Sequence, residues 1–254
     1  MNILVCVKRV PATGGRIVLT ADSQAIETRH LGFTISPHEE CAVEEAIRLA
    51  AAHGGAVTVL TLGPDAAADQ LRDALAMGAD YAILLAVGDR EWDPLATAAA
   101  IVGTVQQQKA QGTQYDLLMF GNEAADTGDY QVGIRVAYAL DLPCVSGIKS
   151  LAIRNGLASA KREAAGGWEI FTVPLPAVLT VKEGINLPRY PSLPGRLKAK
   201  KKAIQRLEPQ WHDGGLEKIR LRLPQEQEHA VEILGKGADA APRVVELFQR
   251  LGLI

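Results

Sequence analysis

The sequence predicts an α/β fold: a mostly parallel twisted sheet with helices on both faces, followed by an extended C-terminal arm. Three observations predict it. Short apolar runs alternate with helical segments through the first two thirds of the chain. The runs are apolar at nearly every position, as suits strands covered on both faces. Beyond Pro188 the pattern becomes proline-rich and basic, with too little periodicity for a second core.

The elements follow in order. Ile3 to Val7 reads as the first buried strand, followed by a turn over Pro11 to Gly15 and a short hairpin arm at Ile17 to Thr20. Ser36 suits an N-cap, Pro37 the first helical position and Glu39 a capping box, so a helix starts there and stops at His53-Gly54-Gly55. Ala56 to Leu62 is a strand closed by Gly63-Pro64, and Asp65 to Met77 a helix ended by Gly78. Strands at Tyr81 to Val87 and Tyr115 to Phe120 flank a helix from Asp93-Pro94 to about Lys109. A polar loop leads to a helix over Ile134 to Leu140 and a strand near Val145 to Ile148. Leu151 to Val173 predicts an antiparallel hairpin around Asn155-Gly156 and Gly166-Gly167, and Ala177 to Val181 another buried strand. An amphipathic helix is expected near Arg243 to Leu251. Its stripe of Val244, Val245, Leu247, Phe248 and Leu251 suits packing on another subunit.

Composition removes several function classes. The 254 residues include 27 Lys+Arg against 29 Asp+Glu, a net charge of −2, which argues against a nucleic-acid-binding domain. No apolar run approaches the roughly 18 residues of a membrane span, and the opening run MNILVCVKRV, strand-like and without a basic leader or small-residue cleavage site, gives no expectation of a targeting segment. Cys6, Cys41 and Cys144 show no metal-ligand spacing and suit a reducing, cytoplasmic compartment. No HExxH, GxSxG, GxGxxG or Walker-type motif occurs, so no catalytic side chain is expected and the chain does not read as an enzyme.

In a parallel sheet, ligands sit at the carboxyl ends of the strands, which draws attention to the loops Lys8 to Gly15, Leu62 to Asp65 and Gly121 to Gly133. The last is the richest. Backbone N–H groups at its helix start suit a phosphate, with Thr127 and Gln131 adding hydrogen bonds, while Asp126 and Asp129 fit a ribose or a cap. A helix N-cap with solvated acids fits the same pattern, and the residues alone leave the two open. His38 reads either as a helix-start histidine or as a ligand contact. Cys6 reads as a small buried hydrophobe. Glu39-Glu40 complement the positive end of their helix, and Glu44-Glu45 are expected as solvated pairs. Arg196 to Lys202 holds five basic residues in seven positions after Pro188-Arg189-Tyr190-Pro191-Ser192-Leu193-Pro194. This combination predicts a proline-braced loop presenting Leu193 beside a positive docking patch.

Several stretches together resemble the β subunits of electron-transfer flavoproteins. They are VKRVP (7–11), SPHEECAVEEAIRLA (36–50), ALAMGAD (74–80), DPLATA (93–98), DYQVG (129–133), PAVLTV (176–181) and PRYPSLPGRLKAKKKAI (188–204), in order over nearly the whole chain. The resemblance implies an adenine-nucleotide α-hydrolase-like fold over residues 1–187, and a recognition loop with a C-terminal arm over 188–254 that packs on an α subunit. It implies a heterodimer with that subunit, which supplies most contacts to a redox FAD, and a second nucleotide in the β subunit, AMP or a second FAD. Electrons would arrive from flavin-dependent dehydrogenases and leave to an acceptor such as a quinone oxidoreductase. The pocket it implies comprises Cys6, Ser36, Pro37, His38, Glu39, Leu62, Asn122, Glu123, Ala124, Ala125, Asp126, Thr127, Gly128, Asp129, Tyr130, Gln131, Val132 and Gly133. Leu193 would anchor the dehydrogenase, with Lys198, Lys200, Lys201 and Lys202 beside it. The sequence departs from the family where Ser36-Pro37-His38 replaces Asn-Pro-Phe/Tyr, and where Ala165 in Arg162 to Gly167 stands in place of the Asp/Glu directly before the two glycines. A stand-alone adenine-nucleotide sensor and an adenylating or hydrolytic enzyme on the same fold are the alternatives.

Overall fold

A computed structural model describes residues 1–12, 14, 17–88, 90–224 and 232–254; Thr13 and Gly15 of the expected turn lie outside these. In chain order the elements are β1 (Ile3–Cys6), β2 (Val10–Pro11), β3 (Phe33–Thr34), α1 (Pro37–His53), β4 (Val57–Gly63), α2 (Ala68–Met77), β5 (Tyr81–Ala86), α3 (Pro94–Ala110), β6 (Leu117–Gly121), α4 (Val132–Ala139), β7 (Cys144–Arg154), β8 (Leu157–Ala164), β9 (Gly167–Pro174), β10 (Ala177–Val181), α5 (Leu193–Lys201), β11 (Gln205–Leu207) and α6 (Ala241–Arg250). Nine strands form one sheet in the order β11-β5-β4-β1-β6-β10-β7-β8-β9.

The strands from β11 through β7 pair in parallel, and β7, β8 and β9 continue as an antiparallel meander. In β1, Ile3 lies opposite Val57 and Leu117, and Cys6 opposite Leu60 and Phe120. The alternation of side chains along each strand then divides the core into two layers. Ile3, Val5, Val57, Val59, Leu117, Met119 and Leu179 pack with Ala42, Val43, Ala46, Leu71 and Leu75 of α1 and α2. Leu4, Cys6, Leu60, Leu118, Phe120 and Val178 pack with Ala98, Ile101, Val136 and Ala137 of α3 and α4. The apolar runs of the sequence are thus strands buried on both faces, as their composition predicts. Asn155 and Gly156 both take positive φ (50° and 75°) and turn β7 into β8.

The chain beyond Pro188 holds elements that the sequence pattern does not signal. The proline-braced segment becomes helix α5, capped by the Ser192 hydroxyl, which accepts the Gly195 N–H at 3.1 Å. Pro194 sits in the first turn, where a missing N–H costs nothing. Gly195 lies so close to α2 that a Cβ would come within 2.7 Å of the Ala76 carbonyl. β11 then adds an edge strand to β5. The next residues run back over the domain. Trp211 meets Trp92 edge-on at 4.9 Å, and the Leu221 N–H donates to the Ser23 carbonyl at 2.8 Å. Only α6 matches the expectation of a helix with an uncovered apolar stripe: none of its residues is buried, with Val245, Phe248 and Leu251 exposed.

Candidate functional site

The connections through α1 and α2 carry the chain from β1 outward to β4 and β5, and α3 returns it to β6 on the other side of β1. The order therefore reverses between β1 and β6, and a crevice opens at their carboxyl ends. Two of the three expected loops converge there, the one after Cys6 and the one from Gly121 to Gly133.

Glu39 ties these parts together. Its carboxylate accepts the Lys8 N–H at 3.1 Å with one oxygen and the Ser36 N–H at 3.2 Å with the other, joining the end of β1 to the start of α1. Gly121 at the end of β6 allows this approach, because a Cβ there would lie 2.6 Å from Glu39 Cγ. Burial pushes the Glu39 carboxyl up to about 7, although the two N–H donors and the Lys8 charge oppose the rise. Cys6, buried beside it, has its thiol pushed well above its ordinary value, first by burial and then by the Glu39 charge. It is an inert packing residue, as the sequence suggested.

The Lys8 ammonium crosses the mouth of the crevice to Asp126 at 2.8 Å and to the Thr127 hydroxyl at 3.4 Å. The Ser36 hydroxyl donates to the Glu123 carbonyl at 3.4 Å. His38 is fixed on both sides: Nδ1 accepts the Glu183 N–H at 2.7 Å, so the proton resides on Nε2 and is donated to Glu123 Oε1 at 3.2 Å. The Glu123 carboxylate also raises the pKa of the Tyr130 hydroxyl. Asn122 Oδ1 accepts from the Thr180 hydroxyl at 2.9 Å, which itself accepts the Gly147 N–H at 2.9 Å. Gly133 starts α4 against β10, where a Cβ would meet Thr180 Cγ2 at 2.9 Å.

The structure therefore brings together Cys6, Ser36, His38, Glu39 and the 122–133 loop. Pro37 is exposed at the start of α1. Leu62 sits apart from the polar cluster, at the end of β4 among apolar side chains on the α3–α4 face. Sequence reasoning marked the loop that starts at Lys8 without assigning Lys8 to the site, and it missed Thr180 and the Glu183 backbone. Lys8 lies inside the VKRVP stretch, but its reach to Asp126 depends on the β1–β6 register. Chemically, this region offers the Lys8 cation, the N–H groups of the first turn of α4, which have no partner within the helix, and the carboxylates of Glu123, Asp126 and Asp129. This set suits a ligand carrying both a phosphate and sugar hydroxyls.

A second region lies along α1 and α2. Glu44 and Glu45, expected as solvated pairs, are buried instead. Glu44 is held by Arg189 and Arg48, and Glu45 accepts from Asn186 Nδ2 at 3.0 Å. Leu193 is 72% exposed at the start of α5. Lys198, Lys200 and Lys201 are exposed near its C-terminal end, where cations are favoured. Lys202 differs from that expectation, for its ammonium donates to the Ala79 carbonyl at 2.6 Å and fastens the segment to the end of α2. A cavity of about 260 Å³ separates the Pro188–Arg196 stretch from Thr34, Glu40, Asp73 and Met77. Among the described residues no cluster of His, Cys, Asp and Glu could hold a metal, and no helix is long and apolar enough to cross a membrane.

Comparison with known proteins adds the family. Residues 25–210 match the family described as the electron transfer flavoprotein domain. The electron transfer flavoprotein subunit beta of Bacillus subtilis is 36% identical over 256 residues, covering 98% of each chain. That of Syntrophomonas wolfei is 39% identical over 206 residues, covering 80% of this chain and 78% of its own. The mitochondrial subunit beta of Oryza sativa subsp. indica is 36% identical over 212 residues, covering 83% of each. With its parallel sheet, its crevice at the strand reversal and these matches along nearly its whole length, the chain belongs to the electron transfer flavoprotein family and is of the beta-subunit type.

Proposed function

We propose that this chain is the β subunit of a heterodimeric electron carrier, with an adenine nucleotide in the crevice between β1 and β6 and with α5 as its docking surface for flavin-dependent dehydrogenases. Family membership supports the carrier role, since the relatives bear the name flavoprotein and electron chemistry of that kind is carried by a bound cofactor. FAD supplies the electron-carrying chemistry when bound, and the α subunit supplies most of its contacts. The acceptor downstream is a separate protein such as a quinone oxidoreductase.

The observation that carries the nucleotide reading is the convergence of Lys8 at the end of β1 and of Ser36 and His38 at the start of α1 on Glu123 and Asp126, in the loop that leads from β6 into α4. The residues fit such a group. Gly121 and Gly133 leave no Cβ where Glu39 and Thr180 approach, and the α4 N–H groups and Lys8 can take phosphate oxygens. The carboxylates of Glu123 and Asp129 suit ribose hydroxyls, and the loop Asn122 to Gln131 encloses the ligand. AMP is the nucleotide this reading favours, with a second FAD as the alternative occupant.

Co-expression with its α subunit tests the proposal. A yellow heterodimer that releases FAD together with a further adenine nucleotide on denaturation is the expected result. A colourless monomer that turns over ATP would overturn it in favour of an enzyme on the same fold.

A further inference from the structure

We propose that Glu44 is the positioning residue for the docking segment, acting through Arg189; this role rests on residues 188–202 being the surface offered to dehydrogenases. One face of α1 holds the chain that leads into that surface. The Glu183 N–H donates to His38 Nδ1 at 2.7 Å, and Asn186 Nδ2 donates to the Cys41 carbonyl at 3.0 Å and to Glu45 Oε2 at 3.0 Å. Arg189 completes the series on Glu44. Its backbone N–H and Nε reach Oε2 at 3.1 and 2.8 Å, and Nη2 reaches Oε1 at 3.0 Å. His38, Cys41, Glu44 and Glu45 recur at helical spacing, so residues 183–189 are laid along a single face of the helix.

Glu44 is the firmest of these attachments. Its side chain is 3% exposed, and Arg48 Nε adds a further bond to Oε1 at 2.8 Å. A carboxylate removed from water persists only when fully paired, and each of its oxygens here takes two donors. Burial alone would raise its pKa, but the hydrogen bonds of Arg189 and Arg48 and the Arg189 charge outweigh that and hold it below the usual carboxylate range. Arg189 is correspondingly held above its ordinary value by Glu44.

The fork acts on the residues next to Arg189. α5 has attachments of its own, since Arg72 Nη1 bonds the Ala199 and Lys202 carbonyls, each at 2.5 Å. In the stretch from Leu187 to Pro191 it is Arg189 that hydrogen-bonds to α1, and Tyr190, 87% exposed with the Arg196 guanidinium 5.5 Å from its ring, follows it toward Leu193. The Glu44–Arg189 fork thus fixes the entry to α5, the point from which Tyr190 leads into Leu193 at the first residue of the helix. A surface ordered in advance loses less conformational freedom on docking.

The test uses the intact heterodimer and a cognate dehydrogenase. Glu44→Gln keeps the side-chain shape and removes the charge. It should raise the dehydrogenase's KM for the carrier about tenfold while kcat at saturating carrier stays within about twofold. Amide hydrogen exchange should quicken across 186–192 and stay unchanged in β1 and β6, with the flavin spectrum and nucleotide content of the wild type. Should Glu44→Gln fail to fold, Arg189→Gln, altering a side chain 45% exposed, is expected to give the same pattern. Combined with Leu193→Ala, either variant should be less than additive, because a loosened segment presents Leu193 poorly. If Leu193→Ala alone leaves KM unchanged, the docking reading itself fails. If Leu193→Ala impairs transfer while both fork variants keep the wild-type KM, or if exchange rises throughout the chain, the positioning role is overturned.

Discussion

Glu39 gives the site a pH dependence that can be worked out from its surroundings. Its carboxyl rises from the ordinary 4.5 to about 7 because it is buried, despite the N–H donors of Lys8 and Ser36. Between those two values the folded chain binds more of a proton at this position than the unfolded chain does. Stability therefore falls as pH rises through the window; the contribution is complete below about 4.5 and lost above about 7. At about 1.4 kcal/mol per pH unit, the ceiling is about 3–4 kcal/mol, or roughly 10 °C in Tm for a domain of this size. Glu39→Gln cannot titrate. Thermal denaturation of wild-type and Glu39→Gln heterodimers, measured side by side from pH 4.5 to 8, should give a Tm difference that changes in favour of the variant as pH rises. Other carboxylates cancel in that difference, including Glu40 and Asp73, which burial also raises, and Glu44, which shifts the opposite way. A Tm difference that stays flat across the window would refute the upward shift of the buried Glu39 carboxyl.

The geometry supports further expected outcomes. Gly121→Ala places a methyl 2.6 Å from Glu39 Cγ and should cost about 1–3 kcal/mol while weakening nucleotide retention, read by Tm and by the nucleotide released on denaturation. Leu193→Ala should slow dehydrogenase-to-carrier transfer at all salt concentrations through loss of about 1–3 kcal/mol of docking energy, with a normal flavin spectrum. Neutralising Lys198, Lys200 and Lys201 should act mainly at low ionic strength, and a salt-independent effect in stopped-flow kinetics would contradict steering. Deleting residues 240–254 removes the uncovered stripe of α6 and should weaken co-purification with the α subunit, as judged by size-exclusion chromatography of the co-expressed pair.

Much of the fold was legible because its signals are local. The ILVC and AVLTV runs could only be strands covered on both faces, and Ser36-Pro37 with Glu39 marked the start of α1 within one turn. The site was legible in part for the same reason, since the carboxyl ends of parallel strands pick out the loops that converge on it. The features that escaped depend on partners distant in sequence. Glu44 and Glu45 look like surface acids beside Arg48, and only Arg189 and Asn186, more than a hundred residues later, bury them. Lys202 looks like one more lysine of a basic run until Ala79 supplies a carbonyl for it. α5 was hidden by Pro191 and Pro194, whose positions before and within a first turn suit a helix as well as a loop. β11 is three residues long and two of them are exposed, so it has almost no apolar signal to read.

The central claim, that this chain holds an adenine nucleotide of its own between β1 and β6, is tested most directly by the ratio of adenine to protein in the purified heterodimer. Mass spectrometry and absorbance of the nucleotides released on denaturation would measure it, with Gly121→Ala as the comparison. More adenine than the shared FAD accounts for, falling in the Gly121→Ala variant while the FAD stays bound, is the predicted result. A heterodimer whose only adenine belongs to that FAD would contradict the account.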